Sequence, residues 1–164
     1  MFKNICLIGL PYSGKSYLGQ RLAQYKNIGF IDIDKIIELK YKKKLHEIIS
    51  DEGINKFIHY ENKIASSLYC HNNIISPGGS IIYSAESMYH IKNTLNSDII
   101  HLHLSFNEFE TRITNISERG IIMKAEYDVK QLYDERISLC NYYSDRNINV
   151  DNIDNIYKNI KQLK

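Results

Sequence analysis

The sequence has few cysteines, and their arrangement excludes several classes of protein. Cys6, Cys70 and Cys140 are far apart, odd in number and without a C-x-x-C pair. Such spacing argues against a disulfide framework and against a zinc site. Unpaired thiols are typical of proteins kept in a reducing compartment, so we expect a cytoplasmic protein.

Long hydrophobic runs and a strong charge of either sign are also missing. The N-terminal apolar stretch is too short for a signal peptide, and no stretch approaches a membrane-spanning length. The formal net charge of +2 is too small to indicate a nucleic-acid-binding protein. We therefore expect neither membranes nor nucleic acids as partners. The 164 residues contain no repeat or linker, which indicates a single domain over 1–164.

Short apolar runs alternate along the chain with segments of helical periodicity. Strands are predicted at 3–8, 29–34, 72–76, 98–105 and 147–150. Helices are predicted at 15–26, 35–43, 85–95, 106–115 and 128–144, over the last ten residues, and as two helices broken near Gly53. This alternation predicts an α/β fold with a parallel sheet covered on both faces.

One motif stands out, the stretch GLPYSGKS at residues 9–16, which fits the phosphate-loop pattern G-x-x-x-x-G-K-[ST]. It follows a predicted strand and opens a predicted helix, as such a loop must. Backbone N–H groups and the helix N-terminus can then bind phosphate oxygens, with Lys15 on the β- and γ-phosphates and Ser16 on Mg²⁺. The expected nucleotide contacts are Pro11, Tyr12, Ser13, Gly14, Lys15, Ser16 and Tyr17.

The remaining sequence narrows the kind of phosphate chemistry. No N-K-x-D guanine signature occurs, and the third and fourth strands lack the terminal acidic residues typical of motor ATPases. Asp32 and Asp34 instead end the second strand, where alternate residues share a face and would point into a crevice at the sheet edge. One carboxylate could order Mg²⁺ water and the other accept a hydroxyl proton. The alternative is a pair of aspartates that cap a helix.

With these residues in place, the chain resembles the shikimate kinase family over nearly its whole length. The matching segments occur in family order: the phosphate loop, DID at 32–34, FIHYE at 57–61, SPGGS at 76–80, SERG at 117–120 and DERISLCNYYSD at 134–145. The resemblance implies a P-loop kinase fold, with a five-stranded parallel sheet flanked by helices. It also implies an acceptor-binding helical region at about 33–62 and a mobile lid at about 116–127.

The resemblance further implies a reaction and the residues that carry it. The reaction is ATP-dependent phosphorylation of a ring hydroxyl with Mg²⁺, shikimate being the leading acceptor, in aromatic amino acid biosynthesis. We expect a monomer. Lys15, Asp34 and Arg119 match catalytic positions, Ser16 and Asp32 match metal positions, and Arg112 matches an arginine beside the nucleotide base. The implied acceptor residues are Asp34, Ile58, Gly78, Gly79, Ser80 and Arg136.

Several of these acceptor positions depart from the family pattern. Ile58 replaces an arginine that forms half of a carboxylate clamp, Ser80 replaces a third glycine, and Cys140 replaces a tyrosine. In the lid, Gly120, Ile121 and Ile122 replace proline and two leucines. The altered pocket leaves two alternatives: a kinase for another hydroxylated metabolite or nucleotide, and a catalytically weak nucleotide-binding regulatory protein.

The phosphate loop predicts nucleotide-dependent stability. ATP or ADP with Mg²⁺ should raise the melting temperature, because a ligand that binds only the folded state stabilises it by mass action. Lys15→Ala should greatly reduce this shift in a thermal-melting measurement. No shift in the parent protein at millimolar nucleotide would contradict the assignment of the loop.

Overall fold

The structure is a computed structural model, and it describes residues 3–113, 121–123 and 126–151. Within this part of the chain the strands are β1 (Asn4–Ile8), β2 (Gly29–Asp32), β3 (Asn73–Ser76), β4 (Ser97–His103) and β5 (Arg146–Asn149). They pair in parallel in the order β2-β3-β1-β4-β5. The predicted five-stranded parallel sheet is therefore confirmed.

Seven α-helices lie in the described residues. They are α1 (Lys15–Lys26), α2 (Ile33–Tyr41), α3 (Leu45–Glu52), α4 (Ile54–Ser67), α5 (Ala85–Tyr89), α6 (Phe106–Arg112) and α7 (Val129–Tyr143). A 3₁₀ turn at Ile81–Tyr83 precedes α5, which continues as a π-helical turn at His90–Thr94. None of the described helices has the length and apolar character needed to cross a membrane. The predicted C-terminal helix lies outside the described residues.

The strands send alternate side chains into two hydrophobic layers, one on each face of the sheet. Leu7 and Ile74 point into the layer beneath α1, α6 and α7. Their strand neighbours Cys6 and Ile75 point into the layer beneath α2, α4 and α5. This alternation follows from the period of two along a strand, and burial on both faces explains the apolar runs at the centre of the sheet in β1 and β3.

Helix boundaries depend on a few capping residues. The Asp32 carboxylate accepts a hydrogen bond from the Lys35 N–H at 3.2 Å and begins α2 there. Consequently β2 ends at Asp32, two residues earlier than predicted, and Asp34 lies in the first turn of a helix. Gly53 separates α3 from α4, as predicted.

The carboxyl ends of the three strands β1, β2 and β3 meet at one edge of the sheet. Each is followed by a segment singled out in the sequence: the phosphate loop after β1, Asp32 and Asp34 at the end of β2, and SPGGS after β3. Ligand crevices in open parallel sheets form at this edge. The topology therefore brings together segments that begin at Gly9 and end at Ser80 in the chain.

Ile74 offers a test of the core, because it is fully buried at the centre of β3. Ile74→Ala should lower the free energy of unfolding by about 2–5 kcal/mol through lost burial and the cavity left behind. The control is Leu39, which is 78% exposed. Leu39→Ala should change the free energy of unfolding by less than about 0.5 kcal/mol. Denaturant unfolding measures both, and equal midpoints would contradict the described core.

Candidate active site

A crevice of about 460 Å³ opens at the carboxyl edge of the sheet. The phosphate loop forms one wall, and the loop after β3 forms the floor. Side chains from α2, α4, α7 and the segment 121–123 complete the lining. The crevice thus joins elements from both halves of the chain, as a site for two substrates requires.

The phosphate loop has a backbone that few residues tolerate. Tyr12 and Gly14 both have positive φ, at 65° and 84°. A Cβ atom on Gly9 would stand 2.7 Å from the carbonyl oxygen of Leu102, so only glycine fits where the loop leaves β1. Six of the seven predicted nucleotide residues in the loop line the crevice, whereas Ser13 is buried behind it. The N-terminus of α1 faces the same space, which suits an anion.

Lys15 lies at the base of the phosphate loop, and its ammonium group points back toward the backbone at the start of that loop. It donates hydrogen bonds to the carbonyl oxygens of Gly9 and Leu10 at 3.0 and 2.9 Å. Burial lowers the pKa of Lys15, while the nearby carboxylate of Asp34 acts in the opposite direction. The ammonium therefore lies between the loop and the acid, in reach of anything bound in the crevice.

Asp32 and Asp34 do not share a strand face, so the first of the two sequence interpretations is wrong, and the alternative, aspartates at the start of a helix, is confirmed. Asp32 caps α2 with its side chain and is not among the described residues that line the crevice. Asp34 lines the crevice from the first turn of α2, and its Oδ1 atom is buried without a hydrogen-bond partner. Burial raises the pKa of Asp34 to about 6, and the Asp32 carboxylate adds to that rise.

Gly78 and Gly79 are placed where an added side chain would displace the ionisable groups that pack on them. A Cβ atom on Gly78 would overlap Oε1 of Glu61 and stand 2.7 Å from Oδ1 of Asp34. A Cβ atom on Gly79 would stand 2.9 Å from Nη1 of Arg136. The two glycines therefore let ionisable side chains pack directly against the backbone at the floor of the crevice.

Arg136 projects from α7 into the crevice, although only 1% of its surface is exposed. Its Nη2 donates to the carbonyl oxygen of Ile122 at 2.6 Å, and its Nε donates to the Tyr83 hydroxyl at 3.4 Å. The guanidinium also stacks over the Tyr83 ring at 5.4 Å. No described carboxylate forms an ion pair with it, so the charge is available to an anionic ligand.

The sequence prediction did not include Glu61 among the site residues. It is fully buried on the apolar face of α4, and its Oε2 accepts a hydrogen bond from the Ser80 hydroxyl at 2.7 Å. Burial raises the pKa of Glu61 to about 8, with Ser80 acting against the rise and Asp34 adding to it. The sequence did contain a signal for this site. Glu61 lies one helical turn from Phe57 and from Ile64, so an acidic residue occupies the core-facing side of α4.

Two other predicted residues, Ile58 and Arg112, are not among the described residues that line the crevice. Ile58 lines an adjoining, largely apolar hollow of about 800 Å³, bordered by Tyr83 and Ile122, so the expectation that it shares the crevice of Asp34 is not met. Arg112 ends α6 and donates to Glu108 and to the backbone carbonyl oxygens of residues 150 and 151. Arg119 lies outside the described residues, as does much of the predicted lid.

Comparison with known proteins identifies the type of fold and site. The family model described as "Shikimate kinase" matches residues 11–163. A shikimate kinase of Bacillus cereus is 31% identical over 163 residues, covering 98% of this chain and 93% of the relative. One from Sulfurihydrogenibium is 33% identical over 135 residues, covering 82% and 80% of the two chains.

Solved structures agree on the fold. The shikimate kinase of Acinetobacter baumannii, solved in complex with shikimate, superposes with a TM-score of 0.85 at 21% identity, covering 99% of this chain and 91% of that one. The enzyme from Aquifex aeolicus superposes with a TM-score of 0.81 at 23% identity, covering 98% and 93%. The predicted P-loop kinase fold is confirmed by these superpositions.

Proposed function

The chain belongs to the shikimate kinase family, and we propose that its crevice transfers the γ-phosphoryl group of ATP to a hydroxyl group of shikimate. One observation carries this proposal: the phosphate loop, Asp34 with its buried Oδ1 atom, and the buried Arg136, which forms no ion pair with a described carboxylate, all line the same crevice. The loop suits the phosphates of ATP, and the arginine suits the carboxylate of an acid acceptor. Asp34 lies on the crevice wall with both.

The nucleotide half of the reaction uses the phosphate loop. The loop N–H groups and Lys15 bind the phosphates, and their positive charge stabilises the transferring group in the transition state. Ser16 lines the crevice, and its hydroxyl would hold Mg²⁺. The role of Asp32 in orienting metal-bound water is an assignment from the sequence, because its carboxylate caps α2. When bound, Mg²⁺ neutralises phosphate charge. Arg112 beside the base and Arg119 above the phosphates remain assignments from the sequence.

The acceptor half uses Asp34 and Arg136. Arg136 holds the acceptor's carboxylate through its free guanidinium edge, and Asp34 accepts a hydrogen bond from the reacting hydroxyl. With a pKa of about 6, Asp34 is mostly ionised at neutral pH and can take the proton. As the oxygen of the acceptor bonds to phosphorus, the bond from phosphorus to the leaving oxygen of ADP breaks, and the hydroxyl proton passes to Asp34.

We also propose that the protein acts as a monomer in the cytoplasm, without nucleic-acid or membrane partners. The three cysteines are unpaired, and Cys6 and Cys140 are buried, which suits a reducing compartment. Sedimentation of the free protein and of its nucleotide complex tests the oligomeric state.

Arg136 gives the direct test of the acceptor. Arg136→Met should increase KM for shikimate by a factor of about ten to over a hundred, because a charge-assisted hydrogen bond contributes about 1.5–3 kcal/mol. Affinity for ATP should change little. The control is Arg146→Met, a half-exposed arginine on β5. ADP release measured against a panel of hydroxylated metabolites decides the outcome, and faster turnover of another compound would contradict shikimate as the acceptor.

Ile58 tests whether the missing arginine matters. Ile122 lines both the crevice and the hollow of Ile58. If the longer side chain of Ile58→Arg passes Ile122, its guanidinium meets the acceptor's carboxylate, and KM for shikimate should fall about tenfold with little change in ATP affinity. Asn55→Arg is the matched control, since Asn55 borders the same hollow one helical turn earlier and adds the same charge. If shikimate is not the acceptor, turnover of shikimate stays negligible in Ile58→Arg and the native reaction weakens.

A further inference from the structure

Glu61 and Ser80 form a buried pair at the floor of the crevice, with Ser80 in the lining and Glu61 behind it. The Ser80 hydroxyl donates to Oε2 of Glu61 at 2.7 Å, and the two residues are 8% and 0% exposed. Oε1 of Glu61 has no hydrogen-bond partner. A fully buried carboxyl group with a single neutral donor lacks the partners that would stabilise a negative charge.

The surroundings of Glu61 come from four elements. Asp34 on α2 faces it across Gly78, and Ser80 contacts it from the loop after β3. Arg136 on α7 and Lys15 at the start of α1 are the two cations whose charge acts on it. Ile58, one helical turn earlier on α4, offers only an apolar side chain. Burial outweighs both cations and keeps the pKa of Glu61 raised, at about 8.

Glu61 and Arg136 approach the same short loop from opposite elements. Glu61 packs on Gly78 and Ser80, while Nη1 of Arg136 packs on Gly79 between them. A negative charge on Glu61 would therefore arise close to the guanidinium that the acceptor needs. An ionised Glu61 and the acceptor's carboxylate would then compete for the positive charge of Arg136.

We propose that the Ser80–Glu61 pair controls acceptor binding: protonated Glu61 leaves Arg136 free for an acid acceptor, and ionised Glu61 competes with the acceptor's carboxylate for Arg136. Glu61, which does not line the crevice, is thus a positioning residue that acts through Arg136, and Ser80 holds it from the crevice lining. The inference rests on the proposed binding of the acceptor's carboxylate by Arg136. The acceptor of this site is accordingly a small hydroxylated acid whose binding weakens in alkaline solution.

The test is the pH dependence of KM for shikimate, measured with saturating MgATP. In the parent protein KM should rise about tenfold per pH unit above pH 8, since the binding-competent form loses one proton. KM for ATP, which depends on Lys15 and not on Arg136, should not follow this rise. Glu61→Gln keeps the shape of the side chain but cannot ionise, so its KM for shikimate should stay level over the same range.

Two Ser80 variants separate this role from simple packing. Ser80→Ala removes the donor that favours the ionised form, so the rise in KM should begin about one pH unit higher. Ser80→Thr keeps a hydroxyl and should restore the parent profile. Infrared difference spectra of the parent and Ser80→Ala report the protonated carboxyl directly and require no turnover.

The outcomes distinguish this inference from the proposed function. An alkaline rise in KM that persists in Glu61→Gln, or that does not move in Ser80→Ala, overturns the role of the pair. An unchanged shikimate KM in Arg136→Met overturns the acceptor assignment itself. If Glu61→Gln fails to fold, the shift between Ser80→Ala and Ser80→Thr still decides the matter.

Discussion

The absence of a side chain at Gly78 and Gly79 is the constraint on which the crevice depends. Two carboxyl oxygens lie against the first glycine and a guanidinium nitrogen lies against the second. A methyl group at either position would push these groups apart, since each would stand closer than 3.0 Å to an added Cβ atom. The loop after β3 therefore packs against both the carboxyl groups and the arginine at the floor of the crevice.

Burial of these groups gives the crevice its electrostatic character. Lys15 and Arg136 contribute positive charge, Asp34 contributes negative charge, and a protonated Glu61 contributes none. A site with this balance favours anionic ligands, and ATP and an acidic acceptor are both anions. Ionisation of Glu61 would cancel the net positive charge of these groups. A residue outside the crevice can therefore affect the binding of anions within it.

The departures from the family pattern are concentrated on the acceptor side. Ser80 uses its hydroxyl to hold Glu61, so the change from glycine adds a polar contact in the same region where Ile58 provides none. Ile122, another departure, lies between the crevice and the apolar hollow, and its carbonyl oxygen anchors Arg136. The nucleotide side keeps the loop geometry expected for phosphate binding, with Gly9 and Gly14 at its turns.

The sequence by itself determined the order of strands and helices, the phosphate loop and the segments that meet at the sheet edge. These features depend on local properties: the short apolar runs of β1 and β3, and the glycine positions in the loop. Only the tertiary structure decided the rest. Asp32 caps α2 and ends β2, because its carboxylate accepts a hydrogen bond from the Lys35 N–H at the start of the helix. Glu61 belongs to the site and Ile58 faces the neighbouring hollow, because helix packing, which local sequence does not encode, sets which side of α4 faces Gly78 and Ser80.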